Sequence, residues 1–294
     1  MSPAKRKLRL GLPKGSLQAT TQRLFTQAGY QLRIPERSYY PDIDDPEIEC
    51  MLIRAQEMAR YVEQGVLDIG ITGLDWTLEC KAKVKELADL RAAWPSYGPV
   101  RWVVAVKQNS RIRTPKDLQG KRIATEVVNL TGRYLKQHKV TAHVEFSWGA
   151  TEVKPPVLAD AIIDVTETGS SLRANNLRII DTVLESTPRL IANRESVKDR
   201  WKQGKMDRLL MMLKGAIEAI ERVGLMMNVP KAKLERVLKV LPALGTPTIS
   251  TLADEKWMAI NTIVEERKLT ELVPKLSAAG AKAIVEYPLN KIIE

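Results

Sequence analysis

One short pattern occurs twice in this chain and constrains its fold more strongly than any other sequence feature. Asp68 precedes an apolar strand that ends in a Thr-Gly turn, and in residues 157–169 Asp160 precedes a second strand that ends the same way. The repeat predicts two similarly built α/β lobes. Ligands in such folds bind at the carboxyl ends of strands, where Gly73 and Gly169 lie. Two facing lobes therefore predict a cleft.

The segments around the repeat have the periodicities of strands that alternate with helices. Residues 8–12 alternate as a strand does, and Ser16 is placed to cap a helix that ends at Gly29. Residues 55–65 predict a second amphipathic helix, and residues 101–106 predict a strand of the second lobe. This alternation predicts mostly parallel sheets.

The last block of the chain, from about Glu221, has a different order of elements. The predicted order is strand 223–227, helix 231–241, strands 248–252 and 257–264, helix 270–279 and strand 281–285. The order βαββαβ is typical of a ferredoxin-like domain. We therefore expect an α/β protein with two lobes and a C-terminal ferredoxin-like domain.

Composition excludes several other classes of protein. The 294 residues are 44% hydrophobic and 28% charged, which is ordinary for a globular chain and unlike a disordered or collagen-like one. Cys50 and Cys80 form neither a CxxC pair nor a zinc spacing. With only two histidines, His138 and His143, a catalytic triad or a metal cluster is disfavoured, and we expect both to be packing or surface residues. The absence of a signal peptide and of a long apolar stretch predicts a soluble, cytoplasmic protein without a membrane anchor.

The charge balance indicates a polyanionic ligand. The chain has 46 basic and 35 acidic residues, a net charge of +11, which favours nucleic acid, acidic membrane or phosphorylated small molecules. The basic residues are spread along the chain and there are only two Phe for stacking, so nucleic acid is disfavoured.

Residues 164–172 carry the richest group of functional side chains. A strand delivers the carboxylates Asp164 and Glu167, and a turn at Gly169 then opens a helix. The hydroxyl residues of this turn are Thr168, Ser170 and Ser171. Backbone amides and hydroxyls in such a turn suit a phosphate, and a ribose diol or a magnesium ion would satisfy the carboxylates. The alternative is a capped helix that follows a strand.

Three other positions are weaker candidates. Lys14 and Gly15 occupy a strand-to-helix turn that lacks the preceding glycine of a Walker motif, although a lysine there can meet a phosphate. Asp75 follows a buried strand, where a helix cap is the alternative. Arg54 is either a ligand clamp or a solvated charge.

Together these segments resemble ATP phosphoribosyltransferase, the first enzyme of histidine biosynthesis, in its long, self-regulated form. The matching segments are residues 10–17, Arg54, residues 67–75 and residues 159–172, and the resemblance extends over nearly the whole chain. The last segment is similar to the family's loop for 5-phosphoribosyl-1-diphosphate (PRPP). The resemblance implies a fold like periplasmic binding proteins, with lobe I at 1–98 and 194–215, lobe II at 99–193, and a regulatory domain at 216–294.

The resemblance also implies the site. Asp164 would hold the ribose hydroxyls of PRPP, and ATP would lie across the cleft, with Lys14 and Arg54 joining Asp164 as catalytic residues. The expected 5-phosphate loop consists of Glu167, Thr168, Gly169, Ser170, Ser171 and Leu172. The expected ATP contacts are Lys14, Gly15, Arg54, Leu74 and Asp75. Arg133 and Arg173 are further expected contributors of positive charge.

The implied reaction is displacement of magnesium-diphosphate from C1 of the ribose by N1 of the adenine, with inversion. It gives N1-(5-phosphoribosyl)-ATP and needs no covalent residue, because positioning and charge stabilisation suffice. Mg²⁺ would arrive largely on PRPP, so no protein metal site is specified. AMP would bind in the same cleft, and two polyanionic substrates would account for the positive charge.

The C-terminal block resembles the family's L-histidine-binding domain. The expected histidine contacts are Asn228, Leu244, Thr248 and Ala283. Relatives can carry an aspartate where Asn228 stands, so we expect a weaker bond to the amino group of histidine. The family also implies a homo-oligomer, from dimer to hexamer.

Fold alone does not determine function. A cytoplasmic two-lobed protein that senses a small ligand remains the alternative at this stage.

Overall fold

A computed structural model describes residues 6–35, 37–93, 99–242 and 246–293. The chain divides into two compact units. The first contains the N-terminal residues through Arg23 together with Tyr30–Leu210, and the second contains Leu24–Gly29 and Met211–Glu294.

The strands of the described residues, in chain order, are β1 Leu8–Lys14, β2 Leu32–Arg33, β3 Asp42–Ile43, β4 Ile48–Arg54, β5 Ile69–Gly73, β6 Lys85–Asp89, β7 Val100–Lys107, β8 Arg122–Thr125, β9 His143–Phe146, β10 Ala161–Thr166, β11 Leu177–Ser186, β12 Pro188–Ala192, β13 Arg222–Pro230, β14 Thr248–Thr251, β15 Trp257–Glu265 and β16 Lys282–Pro288. The helices are α1 Gln18–Gln27, α2 Ala55–Glu63, α3 Leu74–Glu79, α4 Val128–Gln137, α5 Ser170–Ala174, α6 Arg200–Ala219, α7 Leu234–Leu238 and α8 Leu269–Ala279.

The first unit contains two five-stranded sheets. One has the order β4-β1-β5-β12-β6, and the other has the order β11-β7-β10-β8-β9. Every residue of β5 is buried, and α2 packs on this sheet with Met58, Ala59 and Val62 fully buried. The core of the second sheet includes Trp102 and Ile163, which are buried with residues of α4.

The repeated aspartates hold corresponding positions in the two sheets. Asp68 accepts a hydrogen bond from the backbone amide of Arg9 at 2.9 Å, and Asp160 accepts one from the amide of Arg122 at 2.8 Å. In each case the aspartate's own amide donates back to the carbonyl of that arginine at 2.9 Å. The repeated pattern therefore ties the start of one strand to the start of its parallel neighbour.

The sheets are mixed, which corrects the expectation of mostly parallel strands. In the first sheet β4, β1 and β5 are parallel, while β12 runs antiparallel to both β5 and β6. In the second sheet β8, β9 and β10 are parallel, while β7 runs antiparallel to β10 and β11. The antiparallel pairings involve β7, β11 and β12, near the points where the chain passes between the sheets. Local periodicity does not reveal which strands pair in this way.

The chain re-enters the first sheet before residue 193, the expected end of lobe II. Strand β12, which begins at Pro188, already belongs to the first sheet.

The second unit has the expected ferredoxin-like order. Its antiparallel sheet runs β14-β15-β13-β16, and its core contains Leu225 and Met227 of β13 together with Leu276 of α8. The unit also includes the end of α1, since Lys291 Nζ donates to the carbonyl of Gln27 at 3.3 Å. The α/β class with two sheet lobes and a C-terminal antiparallel domain is confirmed. Within the described residues, no helix is long and apolar enough to cross a membrane.

Candidate active site

A cleft of about 770 Å³ lies at the carboxyl ends of the parallel strands of both sheets of the first unit. The first sheet contributes Lys14, Arg54 and Gly73, and the second contributes Val165 with the loop residue Glu167. The cleft thus lies where the repeated Thr-Gly turns predict a ligand site.

Lys14 and Arg54 are neighbours at the edge of the first sheet. They are paired in the register of the parallel strands β1 and β4, so both strands deliver a cation at the same level. Lys14 Nζ donates to the hydroxyl of Tyr39 at 2.9 Å and lies 4.1 Å from the centroid of its ring. The Lys14 ammonium lowers the pKa of the exposed Tyr39 phenol through this hydrogen bond and its charge. Tyr39 was not a candidate from sequence, because it lies in a loop without a distinctive pattern.

The turn after Lys14 leaves open space toward the cleft. Gly15 has φ +102°, and a side chain placed there would meet no atom within 4 Å. The glycine is therefore required by the backbone conformation, which L side chains rarely adopt. The open space lets a ligand approach the main chain closely.

Asp75 lines the cleft, as expected of an ATP contact, but its carboxylate already has protein partners. Its carboxylate is buried and accepts hydrogen bonds from Trp102 Nε1 at 2.7 Å and from the Ser186 hydroxyl at 2.8 Å. A side chain at Gly73 would collide with this carboxylate. Both oxygens are occupied by residues of β7 and β11, so Asp75 joins the two sheets although it borders the cleft. The helix-cap alternative is not seen either, because Gly73 takes the cap position without a side-chain bond.

Leu74 is not among the residues that line the cleft. Its backbone amide donates to the carbonyl of Thr187 at 3.0 Å. The local sequence could not reveal this, because Thr187 approaches only through the pairing of β5 with β12.

Asp164 lies on β10 beside Val165, which lines the cleft, but Asp164 itself is not among the lining residues. The hydrogen bond found for its carboxylate among the described residues comes from the adjacent Val165 amide at 2.8 Å. Burial, with the nearby charges of Glu152 and Glu126, raises the pKa of Asp164 to about 6. A half-buried carboxylate with so few donors is ready to accept hydrogen bonds from a ligand.

The loop after Asp164 makes a tight turn into α5. Gly169 has φ +74°, and its amide donates to the Thr166 hydroxyl at 2.8 Å. Within the described residues, the amides of Thr168, Ser171 and Leu172 donate to no protein acceptor, and α5 has no side-chain cap. These amides point to an anion site.

The side chains of this loop have different surroundings. Glu167 borders the cleft, Thr168 donates to the Ser170 hydroxyl at 3.1 Å, and Ser171 donates to Glu152 Oε1 at 2.8 Å. The Leu172 side chain is buried in the core, so only its amide can meet a ligand.

The other basic and histidine candidates divide between the loop and more distant positions. Arg173 donates to the carbonyl of Thr168 at 2.9 Å and so borders the loop, whereas Arg133 donates to the carbonyl of Leu78 at 2.7 Å. His138 caps the end of α4 and His143 begins β9, and neither lines the cleft.

Among the described residues, no group of three or more His, Cys, Asp or Glu is arranged to hold a metal ion. Burial nevertheless raises the pKa of Asp164, and the charges of Glu152 and Glu126 add to this effect. This local excess of negative charge suits a substrate that brings a cation with it.

The expected histidine contacts lie partly together in the second unit. Asn228 on β13 pairs with Ala259 and with Lys282, the neighbour of Ala283. Thr248 begins β14 and is exposed. Leu244 lies outside the described residues.

The family comparisons cover both units. The family described as HisG: ATP phosphoribosyltransferase matches residues 54–215, and the one described as HisG, C-terminal domain matches residues 219–291.

Curated relatives match over nearly full length. ATP phosphoribosyltransferase of Solibacter usitatus is 60% identical over 286 residues, which cover 97% of this chain and 99% of the relative. The enzyme of the same name from Chlorobium chlorochromatii is 58% identical over 294 residues, with both chains fully covered.

A solved structure shares the fold. It is described as the ATP phosphoribosyl transferase (HisG:HisZ) complex from Thermotoga maritima, with a TM-score of 0.60 and 27% identity over 70% of this chain and 98% of that one.

Proposed function

We propose how this chain, which belongs to the ATP phosphoribosyltransferase family, arranges its substrates in the cleft. Enzymes of this family condense ATP with PRPP in the first step of histidine biosynthesis. The observation that carries the proposed arrangement is the position of the loop that follows β10, because Val165 and Glu167, on either side of its start, line the same cleft as Lys14 and Arg54.

PRPP binds on the loop that follows β10. The carboxylate of Asp164 accepts hydrogen bonds from the ribose hydroxyls, because only the Val165 amide donates to it among the described residues. The amides of Thr168, Ser171 and Leu172, with nearby hydroxyls, hold the 5-phosphate. Charge-assisted bonds of this kind contribute about 1.5–3 kcal/mol each.

ATP binds toward the first sheet. Lys14 and Arg54 supply positive charge for phosphates, and the open turn at Gly15 allows the chain to approach them closely. To reach a phosphate, Lys14 exchanges its hydrogen bond with Tyr39 for one with the substrate. AMP occupies the same place. Asp75 stabilises the wall of the cleft by accepting hydrogen bonds from Trp102 and Ser186.

The reaction is a direct displacement. N1 of adenine forms a bond to C1 of the ribose while the bond from C1 to the diphosphate oxygen breaks and its electron pair leaves with the diphosphate. Mg²⁺, which arrives on PRPP, neutralises charge on this leaving group. The protein contributes position and electrostatics, since positive charge builds on C1 beside Asp164 and negative charge builds on the phosphates.

Regulation by L-histidine belongs to the C-terminal domain. Asn228, Thr248 and Ala283 lie on three strands of its sheet, and Asn228 is central among them. With Leu244 they form the proposed contacts to histidine. A homo-oligomer, from dimer to hexamer, is the assembly in which this control operates.

The direct test mixes purified protein with ATP, PRPP and magnesium, with a pyrophosphatase to remove diphosphate. The near-ultraviolet absorbance of N1-ribosylated ATP is followed with and without L-histidine. We expect product that histidine suppresses. Product that is indifferent to histidine would reject the proposed histidine site, and no product from folded protein would reject the substrate arrangement.

The first prediction concerns Asp164. Replacing it in Asp164→Ala removes the acceptor for the ribose hydroxyls, so kcat/KM for PRPP falls by at least about 100-fold, the effect of losing two charge-assisted hydrogen bonds. The fold, measured by circular dichroism, stays intact. Glu145→Ala, which removes an exposed carboxylate on β9 of the same sheet, is the control. Near-normal turnover of Asp164→Ala would remove this aspartate from the site.

A further inference from the structure

Glu126 is a carboxylate of the cleft that the proposed arrangement does not yet use. It follows β8 and lines the cleft. Thr125 pairs with Ile163 in the parallel register of β8 and β10, so Glu126 follows at the level of Asp164 on the neighbouring strand. Its charge contributes to the raised pKa of Asp164, which places the two carboxylates in electrostatic reach.

Hydrogen bonding distinguishes Glu126 from Asp75 and Glu152. Within the described part of the chain, no side chain or backbone group donates a hydrogen bond to its half-buried carboxylate, and burial raises its pKa. Glu167, which also lines the cleft, likewise accepts no hydrogen bond from the described residues, whereas two other carboxylates in or near the cleft have protein donors. Asp75 accepts from Trp102 and Ser186, and Glu152 accepts from Ser171.

Residues other than Glu126 accept the hydrogen bonds at the start of α4. The turn is held by the Val127 amide, which donates to the Thr125 hydroxyl at 3.1 Å. The amides of Asn129 and Leu130 both donate to the carboxylate of Glu79, at 2.9 and 2.8 Å. The helix start is therefore capped from α3, and the Glu126 carboxylate is left for a ligand.

Two neighbouring carboxylates with few protein donors need a ligand that brings several donors at once. A vicinal diol has two hydroxyl donors on adjacent carbons and can serve both acids. Phosphates cannot, because their oxygens are acceptors and their charge is repelled. In sugar-transfer reactions a hydrogen bond to a hydroxyl beside the reacting carbon strengthens as positive charge builds there.

We infer that Glu126 is a second ribose-binding carboxylate, which accepts a hydrogen bond from a hydroxyl of PRPP beside Asp164 and stabilises the positive charge that develops on C1. The inference rests on the proposed placement of PRPP and deepens it. Glu126 then acts on PRPP and not on ATP.

The test compares Glu126→Ala and Glu126→Gln with the unchanged protein in steady-state kinetics and in PRPP binding without ATP. For Glu126→Ala we expect kcat/KM for PRPP to fall by about 10-fold or more, the effect of one lost charge-assisted hydrogen bond, with the KM for ATP changed by less than about twofold. Glu126→Gln retains an acceptor oxygen and recovers part of the loss. Glu145→Gln on β9 is the control.

A double variant tests whether the two acids share one ligand. If Asp164 and Glu126 hold the same diol, the loss of PRPP affinity in Asp164→Asn with Glu126→Gln differs from the product of the single losses. Multiplicative losses would overturn the shared diol. A change confined to the KM for ATP would assign Glu126 to the adenine, and unchanged PRPP kinetics in Glu126→Ala would remove it from the site.

The failure of this inference is distinguishable from failure of the substrate arrangement. If Asp164→Asn weakens PRPP and Glu126→Ala does not, only the role of Glu126 is wrong. If neither variant affects PRPP, the ribose site itself is wrong.

Discussion

At the residue scale, the same residue type has opposite roles in the cleft and beside it. Asp75 is buried with both oxygens satisfied by Trp102 and Ser186, so it connects the sheets. Asp164 has only the adjacent Val165 amide as a donor among the described residues, and burial raises its pKa. Partners, not residue type, determine which carboxylate is available to a substrate.

The raised pKa of Asp164 predicts an acid limit on PRPP use. The ionised carboxylate accepts the ribose hydrogen bonds, and in the free protein its pKa is about 6, raised by burial and by Glu152 and Glu126. We therefore expect kcat/KM for PRPP to fall as the pH drops below about 6. A profile from pH 5 to 8 checks this, because kcat/KM reports groups of the free enzyme. A profile that stays flat to pH 5, or an unchanged acid limb in Asp164→Asn, would contradict the assignment.

At the element scale, the repeated aspartates connect neighbouring parallel strands with different strength. Asp68 at the start of β5 is fully buried and contacts Arg9, Lys202 and Ser196. Asp160 before β10 is partly exposed and lies 3.8 Å from the Arg122 guanidinium. The same pattern therefore forms a buried charge cluster in one lobe and a surface contact in the other.

The buried cluster predicts unequal effects of two matched variants. Asp68→Asn leaves Arg9 and Lys202 without their buried carboxylate, so we expect the free energy of unfolding to fall by about 3 kcal/mol. Asp160→Asn, in the equivalent position, costs about 1 kcal/mol or less. Urea denaturation of both variants measures the difference, and equal losses would show that burial of the cluster does not matter.

The same cluster gives stability a defined pH dependence. Burial alone would raise the pKa of Asp68, but hydrogen bonds from Arg9, Lys202 and Ser196 outweigh it and hold the pKa at about 2. Because this lies below the ordinary value of 3.8, the contribution of about 2 kcal/mol is complete above pH 4 and is lost as the pH falls toward 2. In Asp68→Asn this part of the acid destabilisation disappears.

At the scale of the whole molecule, catalysis and control belong to different units of one chain. The cleft lies in the unit that contains Tyr30–Leu210, and the proposed histidine contacts lie in the unit that contains Met211–Glu294. The second unit is not purely C-terminal, since Leu24–Gly29 belongs to it. A point variant therefore tests regulation more cleanly than truncation, which would separate Leu24–Gly29 from the rest of its unit.

Feedback strength is expected to depend on the charge of residue 228. Asn228→Asp gives the amino group of histidine a charged acceptor, so we expect the histidine concentration for half inhibition to fall by about 10-fold, while Asn228→Ala raises it. Turnover without histidine stays unchanged, because Asn228 lies outside the catalytic unit. Inhibition curves of the full chain measure the effect. Equal curves for all three proteins would remove Asn228 from the histidine site.

Local sequence determined much of the secondary structure of this protein. Strand and helix periodicity predicted β1, β7, α2 and the βαββαβ order of the C-terminal domain, because those signals depend on neighbours along the chain. The helix 270–279 was also predicted, and α8 continues through Pro274. The loop at residues 164–172 was recognisable because its glycine, hydroxyls and carboxylates are consecutive.

Only the tertiary structure decided which strands pair and which carboxylates face one another. The antiparallel direction of β12, the capture of Asp75 by Trp102 and Ser186, and the level of Glu126 with Asp164 all depend on residues far apart in sequence. Glu126 had a local signal, since it follows an apolar strand, but that signal does not reveal its neighbour. Register between distant strands is set by packing of the whole sheet, so periodicity along one segment cannot contain it.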